Sequence, residues 1–155
     1  MDSTLDLGDA LLRLGAAVIA GVAIGIDREW RDKPVGIRTL ALVSLGSALV
    51  CVATVHLTSL RAEPDAVSRV VQGVIQGVMA GVGFLGAGAV MRRGDGDVDG
   101  LTTAATVWVT AAIGIACGFA AWEIVLAGVG LTLVVLILLN PLDGLVDRMR
   151  KRRRD

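Results

Sequence analysis

The sequence predicts an all-α polytopic membrane bundle of five transmembrane helices, with the N-terminus outside and the C-terminus cytoplasmic. Three observations predict it. Hydrophobic residues fill 54% of the 155 positions and charged ones only 19%, and the mean hydropathy is +0.71, more apolar surface than a soluble domain of this size can bury. Apolar runs of membrane-crossing length recur along the chain. If those runs number five, 12 of the 15 Lys and Arg residues fall on one side: four in the first loop, two in the third and six in the tail. Only Arg13, Arg61 and Arg69 lie opposite, so the positive-inside rule fixes the orientation.

A hydrocarbon core about 30 Å thick takes roughly 20 helical residues. The first run, 10–26, is a little short, and Arg13, one turn in, can extend its head to the interface. The preceding "MDSTLDLGDA" is acidic where a secretory signal is basic, so this run is expected to persist as a mature span. The second and third spans, 39–60 and 70–91, are long enough without adjustment. From Leu101 to Leu139 the only charge is Glu123, and a single helix of that length would be about twice the hydrocarbon thickness. The run must therefore fold back. Gly118, Trp122 and Glu123 mark the reversal, giving spans 101–117 and 121–139, and Asn140 and Pro141 end the last. Residues 1–140 are thus expected to form the transmembrane domain and 141–155 a basic tail, whose "DRMRKRRRD" reads as a stop-transfer and orientation signal, the alternative being a site for anionic lipid head groups.

Twenty glycines and few aromatic residues supply the small surfaces on which membrane helices approach closely. Gly21 and Gly25 form a GxxxG face on the first span. Gly73, Gly77 and Gly81 form a stripe on the third, flanked by Gln72 and Gln76, and Thr102, Thr106, Thr110, Gly114 and Gly118 form one on the fourth. These three faces are expected to meet. The alternative for the third span is a helix loosened between Gly81 and Gly88, whose freed backbone groups line an ion path.

The stretch "GIDREWRDKPVGIRTL" carries seven charges. If the first helix runs past the membrane, Asp27 faces Arg31, Arg28 faces Asp32 and Glu29 faces Lys33, all at i,i+4. Pro34 then ends the helix, Gly36 lets the chain turn, and Arg38 and Thr39 open the next span. Beyond fixing topology, such a cluster can bind an ion, a phosphate or a partner's charged surface.

Other motifs carry no chemistry. "GVGFLG" (81–86) fits GxGxxG, yet it has no strand before it and lies within a membrane-length helix. "DGDVDG" (95–100) begins like an EF-hand, but its twelfth position is Thr106 instead of glutamate, leaving at most weak Mg²⁺ or Ca²⁺ binding. Cys51 and Cys117 read as small buried thiols, and His56 as interfacial. No nucleophile is accompanied by a base, and no zinc pattern appears. A non-enzymatic protein without cofactor or nucleic-acid partner is expected.

The ordered blocks "IGIDRE…KPVGIRTLALVSLGSAL", "QGVMAGVGFLGAGAVMRRG" and "GLTTAATVWVTAAIGIACG" resemble the transmembrane domain of the MgtC/SapB family of bacterial inner-membrane proteins, over roughly residues 10 to 140. The family pattern falls on Arg28, Glu29, Lys33, Gly36, Arg38 and Thr39. It continues over Gln76, Gly77, Gly81, Gly83, Phe84, Leu85, Gly86 and Gly88, then Gly100, Leu101, Thr102, Thr103 and Ala104. Two departures stand out: Asp99 where a basic residue is expected, and a chain ending at "KRRRD", which points to the short SapB-like form. The resemblance implies a role in adaptation to magnesium limitation and acid stress and, in some pathogens, in growth inside macrophages. For some members it implies restraint of the F-type ATP synthase. The expected function is a regulator of membrane energetics; the alternative is a transporter of Mg²⁺ or another cation. Homo-oligomerisation through the glycine faces is a further expectation.

Overall fold

The computed structural model describes residues 6–59, 64–92 and 98–139. Within them the chain forms five helices, α1 (Leu7–Trp30), α2 (Ile37–Ser59), α3 (Pro64–Gly88), α4 (Leu101–Gly118) and α5 (Trp122–Leu138). A two-residue antiparallel ribbon, Met91–Arg92 with Val98–Asp99, precedes α4. The all-α membrane bundle is as expected: α1 to α4 are each long and apolar enough to cross a bilayer. The 17 residues of α5 give about 26 Å of apolar helix, close to the hydrocarbon thickness. Arg61, Arg93, residues 95–97, Asn140, Pro141 and the basic tail lie outside the described residues.

Helix ends follow local chemistry. The side chain of Asp6 accepts from Gly8 N at 3.0 Å and caps α1, so the helix starts ahead of the apolar run. Pro64 opens α3, six residues before the apolar stretch, where its missing N–H costs nothing. The reversal after α4 falls at Phe119–Ala121, with Ala120 at φ 56°.

The core is built around α2, which packs against α1 on one side and α4 on another. Small residues make this possible. A methyl added at Gly21 would sit 2.6 Å from Leu40 O and 2.7 Å from Ala41 Cα. One at Gly25 would sit 2.5 Å from Ile37 Cα. From the other direction, Gly114 abuts the backbone of Ser44, and a methyl on Gly118 would come within 2.8 Å of Ala48 O. Ala17, Ile24, Leu40, Ala48, Ala111 and Cys117 are fully buried between these helices. Cys51 and Cys117 are both buried and unbridged.

The expected meeting of three small-residue faces is thus corrected. The faces of α1 and α4 meet α2, whereas an added methyl at Gly73, Gly77 or Gly81 would find nothing within 4 Å. The third helix instead docks its opposite edge, Val82 and Gly86, with Gly86 in contact range of Ala104 on α4. It also runs unbroken through Gly88, so the loosened-helix expectation does not hold.

Candidate functional site

The charged turn and the start of α4 come together at one end of the bundle. Gly21, Gly25 and Arg28 share the α1 face that turns inward, at i, i+4 and i+7, and Arg28 is accordingly only 3% exposed. Its Nη2 donates to the hydroxyl of Thr103 in the first turn of α4, a residue likewise 3% exposed. The structure therefore joins two sequence blocks 75 residues apart.

Of the three expected i,i+4 pairs, one forms: Arg31 Nε donates to Asp27 Oδ1 at 2.8 Å. The other two are overturned because α1 stops at Trp30, leaving Asp32 in a left-handed conformation with φ 51°. Arg28 turns to Thr103 instead of Asp32. Glu29 turns to the next helix, accepting from Ile37 N at 3.3 Å and satisfying an orphan amide of the first turn of α2. Gly36 lies against that carboxylate, where a side chain would collide with it. Glu29, Gly36, Arg38 and Thr39 line an open recess of about 610 Å³, while Lys33 is exposed in the turn.

At the far end of α1, Arg13 donates from Nη1 to Gly118 O at 3.0 Å and pairs with Asp9 at 2.6 Å. One helix thus places an arginine at each end of α4. Arg13 meets the carbonyl end, where a cation is favourable; Arg28 meets the amide end, where it is not.

The remaining candidate residues do not join this cluster. Thr102 is exposed, and Thr106 is buried with its hydroxyl donated to Thr102 O at 2.7 Å. Gly81 and Gly83 are exposed on α3, and Gly86 is at the α3–α4 contact. Gln76, the middle residue of α3, is exposed. With Gly73, Ala80, Gly83 and Ala87 it repeats at i, i+3, i+7, i+10 and i+14, a heptad seam facing away from the bundle. Between α2 and α3 runs an apolar groove of about 480 Å³, reaching from Thr39 to Val50 and bordered by Gly77 and Gly81. Among the described residues, no group of three or more His, Cys, Asp or Glu side chains converges on a metal position.

Sequence reasoning missed the inward turn of Arg28. The signal was present, since Arg28 continues the spacing of the GxxxG face, but the i,i+4 charge pattern pointed elsewhere.

The apolar helices, their small-residue packing and the charged cluster at one end define a polytopic helical membrane protein. Comparison gives the family. The MgtC family model matches residues 14–145, and the chain belongs to that family. It is 43% identical to protein SrpB of Synechococcus elongatus over 80% of this chain and 71% of that protein. It is 40% identical to MgtC of Salmonella typhimurium over 90% of this chain and 56% of that protein. YhiD of Escherichia coli, whose name proposes magnesium transport, is 39% identical over 85% of this chain and 61% of that protein. The chain thus spans little more than half the length of the Salmonella relative. No solved structure matches it.

Proposed function

We propose that this chain is a non-enzymatic regulator in the bacterial inner membrane, acting in adaptation to magnesium limitation and acid stress through contact with another membrane protein. The observation that carries this reading is the outer seam of α3. Only 6% of its apolar window is buried within the bundle, against 33% to 50% for α1, α2 and α4. A mid-membrane glutamine facing hydrocarbon is costly unless another helix satisfies its amide, and flanking glycines allow a second backbone close approach. Such a surface suits helix contact. By family resemblance the partner is the F-type ATP synthase, and the orientation is the positive-inside one, with the charged turn cytoplasmic.

A photo-crosslinker in place of Ala80, on the seam, tests this in native membranes. The expected product joins the chain to an ATP synthase subunit, and inverted vesicles lacking the chain should synthesise ATP faster. A crosslink only to a second copy would assign the seam to self-association and remove the ATP synthase from the reading.

Cation transport is the second reading, favoured by the name of the Escherichia coli relative. Mg²⁺ flux in sealed proteoliposomes, abolished by Glu29→Gln or Gln76→Ala, would place transport first.

A further inference from the structure

We propose that the inner end of the bundle holds a phosphate-class oxyanion between the Arg28 guanidinium and the N-terminus of α4. Arg28 is 97% removed from solvent, and its Nε is buried without any hydrogen-bond partner. Arginine stays charged in every protein environment, and an isolated buried charge is expensive. Among the described residues no carboxylate forms an ion pair with it. Asp27 gives Oδ1 to Arg31 while its own Oδ2 is buried and unpartnered, and Glu29 is occupied with Ile37 N.

The location makes the deficit larger. Arg28 reaches Thr103, the third residue of α4, where unpaired amides give a helix its partial positive charge. Gly100 precedes that turn with φ 92° and contributes no side-chain cap. It is held to glycine because a Cβ would collide with the carbonyl of Ala89 at the end of α3. The C-terminal end of α1 itself offsets part of the arginine's charge, but it supplies nothing to the amides of α4. Asp27, next to Arg28 in sequence, offsets part of the arginine's charge, but among the described residues no carboxylate pairs with the guanidinium or caps the amides of α4.

An oxyanion resolves both at once. It would accept from Arg28 Nε and from the amides of Leu101, Thr102 and Thr103, as anions do at helix N-termini. The Thr103 hydroxyl, which accepts from Arg28, has its own hydrogen left to donate. A phosphate group suits the site better than a carboxylate, because it brings more acceptor oxygens and more negative charge to donors that arrive from two helices.

The source is either a lipid headgroup or a free phosphate, and two probes separate them. Protein purified in detergent without phosphate is titrated with inorganic phosphate and, separately, with a short-chain phosphatidic acid, while its thermal midpoint is read by tryptophan fluorescence. A saturable rise with at least one probe is expected. A response to both identifies a site open to free phosphate; a response to phosphatidic acid alone identifies a headgroup site. Arg28→Met should weaken binding by about tenfold or more, the loss of a charge-assisted hydrogen bond. Arg69→Gln, which removes an exposed cation on α3 outside the charged turn, should bind as the wild type does. If Arg28→Met does not fold, Thr103→Val takes its place, with binding weakened about threefold or more. No saturable response to either probe, or unchanged binding in the folded Arg28 or Thr103 variant, overturns the proposal.

Discussion

Substituting alanine for Gly21 adds one methyl at a close approach of α1 to α2. That methyl would sit 2.6, 2.7 and 2.9 Å from Leu40 O, Ala41 Cα and Ala41 N, all backbone atoms that no rotamer change can move. Ordinary contact starts near 3.4 Å, so the two helices must separate by about 0.8 Å, the difference between those distances. Separation loosens the packing of Ala17, Ala20, Ile24 and Leu40. Overpacking of this kind costs about 1–3 kcal/mol, and the upper half applies because the obstruction is main chain. The better helix propensity of alanine returns about 1 kcal/mol, leaving a net loss of roughly 1–2 kcal/mol. Gly77→Ala makes the same chemical change where nothing lies within 4 Å, so it should be neutral or gain up to about 1 kcal/mol. Both variants are unfolded at equilibrium by SDS in mixed micelles and followed by tryptophan fluorescence. Equal midpoints for Gly21→Ala and Gly77→Ala would refute the assignment of α2 as the partner of the GxxxG face.

Gly100→Ala must place a Cβ at φ 92° against Ala89 O; a loss of about 2 kcal/mol or more is expected in the same unfolding assay. Asp27→Asn weakens the pair with Arg31, in which the carboxylate is only 10% exposed, and removes the negative charge beside buried Arg28; a cost of about 1–3 kcal/mol is expected, again read from the unfolding midpoint. Cys51 and Cys117 are buried, so a membrane-impermeant maleimide should label neither until the protein is denatured. With both replaced by alanine, Lys33→Cys and Arg152→Cys should be labelled from the same side of sealed vesicles, and opposite sides would reject the five-span orientation.

The number of helices was legible because hydropathy and length impose it: Leu101 to Leu139 is too long for one crossing, and the chain turns at Phe119–Ala121, next to Gly118. Helix ends were less legible. Asp6 and Pro64 extend α1 and α3 into polar sequence, which an apolar ruler does not count. Packing partners were least legible, because Gly21, Gly77 and Gly114 are chemically identical and only the third dimension decides which meets a neighbour. In the charged turn, local spacing correctly paired Asp27 with Arg31. It failed for Arg28 and Glu29, whose partners, Thr103 and Ile37, lie on other helices. Side chains at a helix end answer to whatever packs beside them as much as to their own periodicity.

The position of α2 between α1 and α4 has a bearing on biogenesis. A nascent chain leaving the insertion machinery can pair α1 with α2 at once, since a six-residue turn joins them. The other flank of α2 must then wait, with Ser44 and Ala48 uncovered, until more than forty further residues have been made and α4 arrives. A peripheral α3 leaves that berth open, so the last large closure is a lateral docking within the lipid plane. Translation pauses or lesions between residues 60 and 100 would therefore strand a half-assembled hairpin for the quality-control proteases of the membrane.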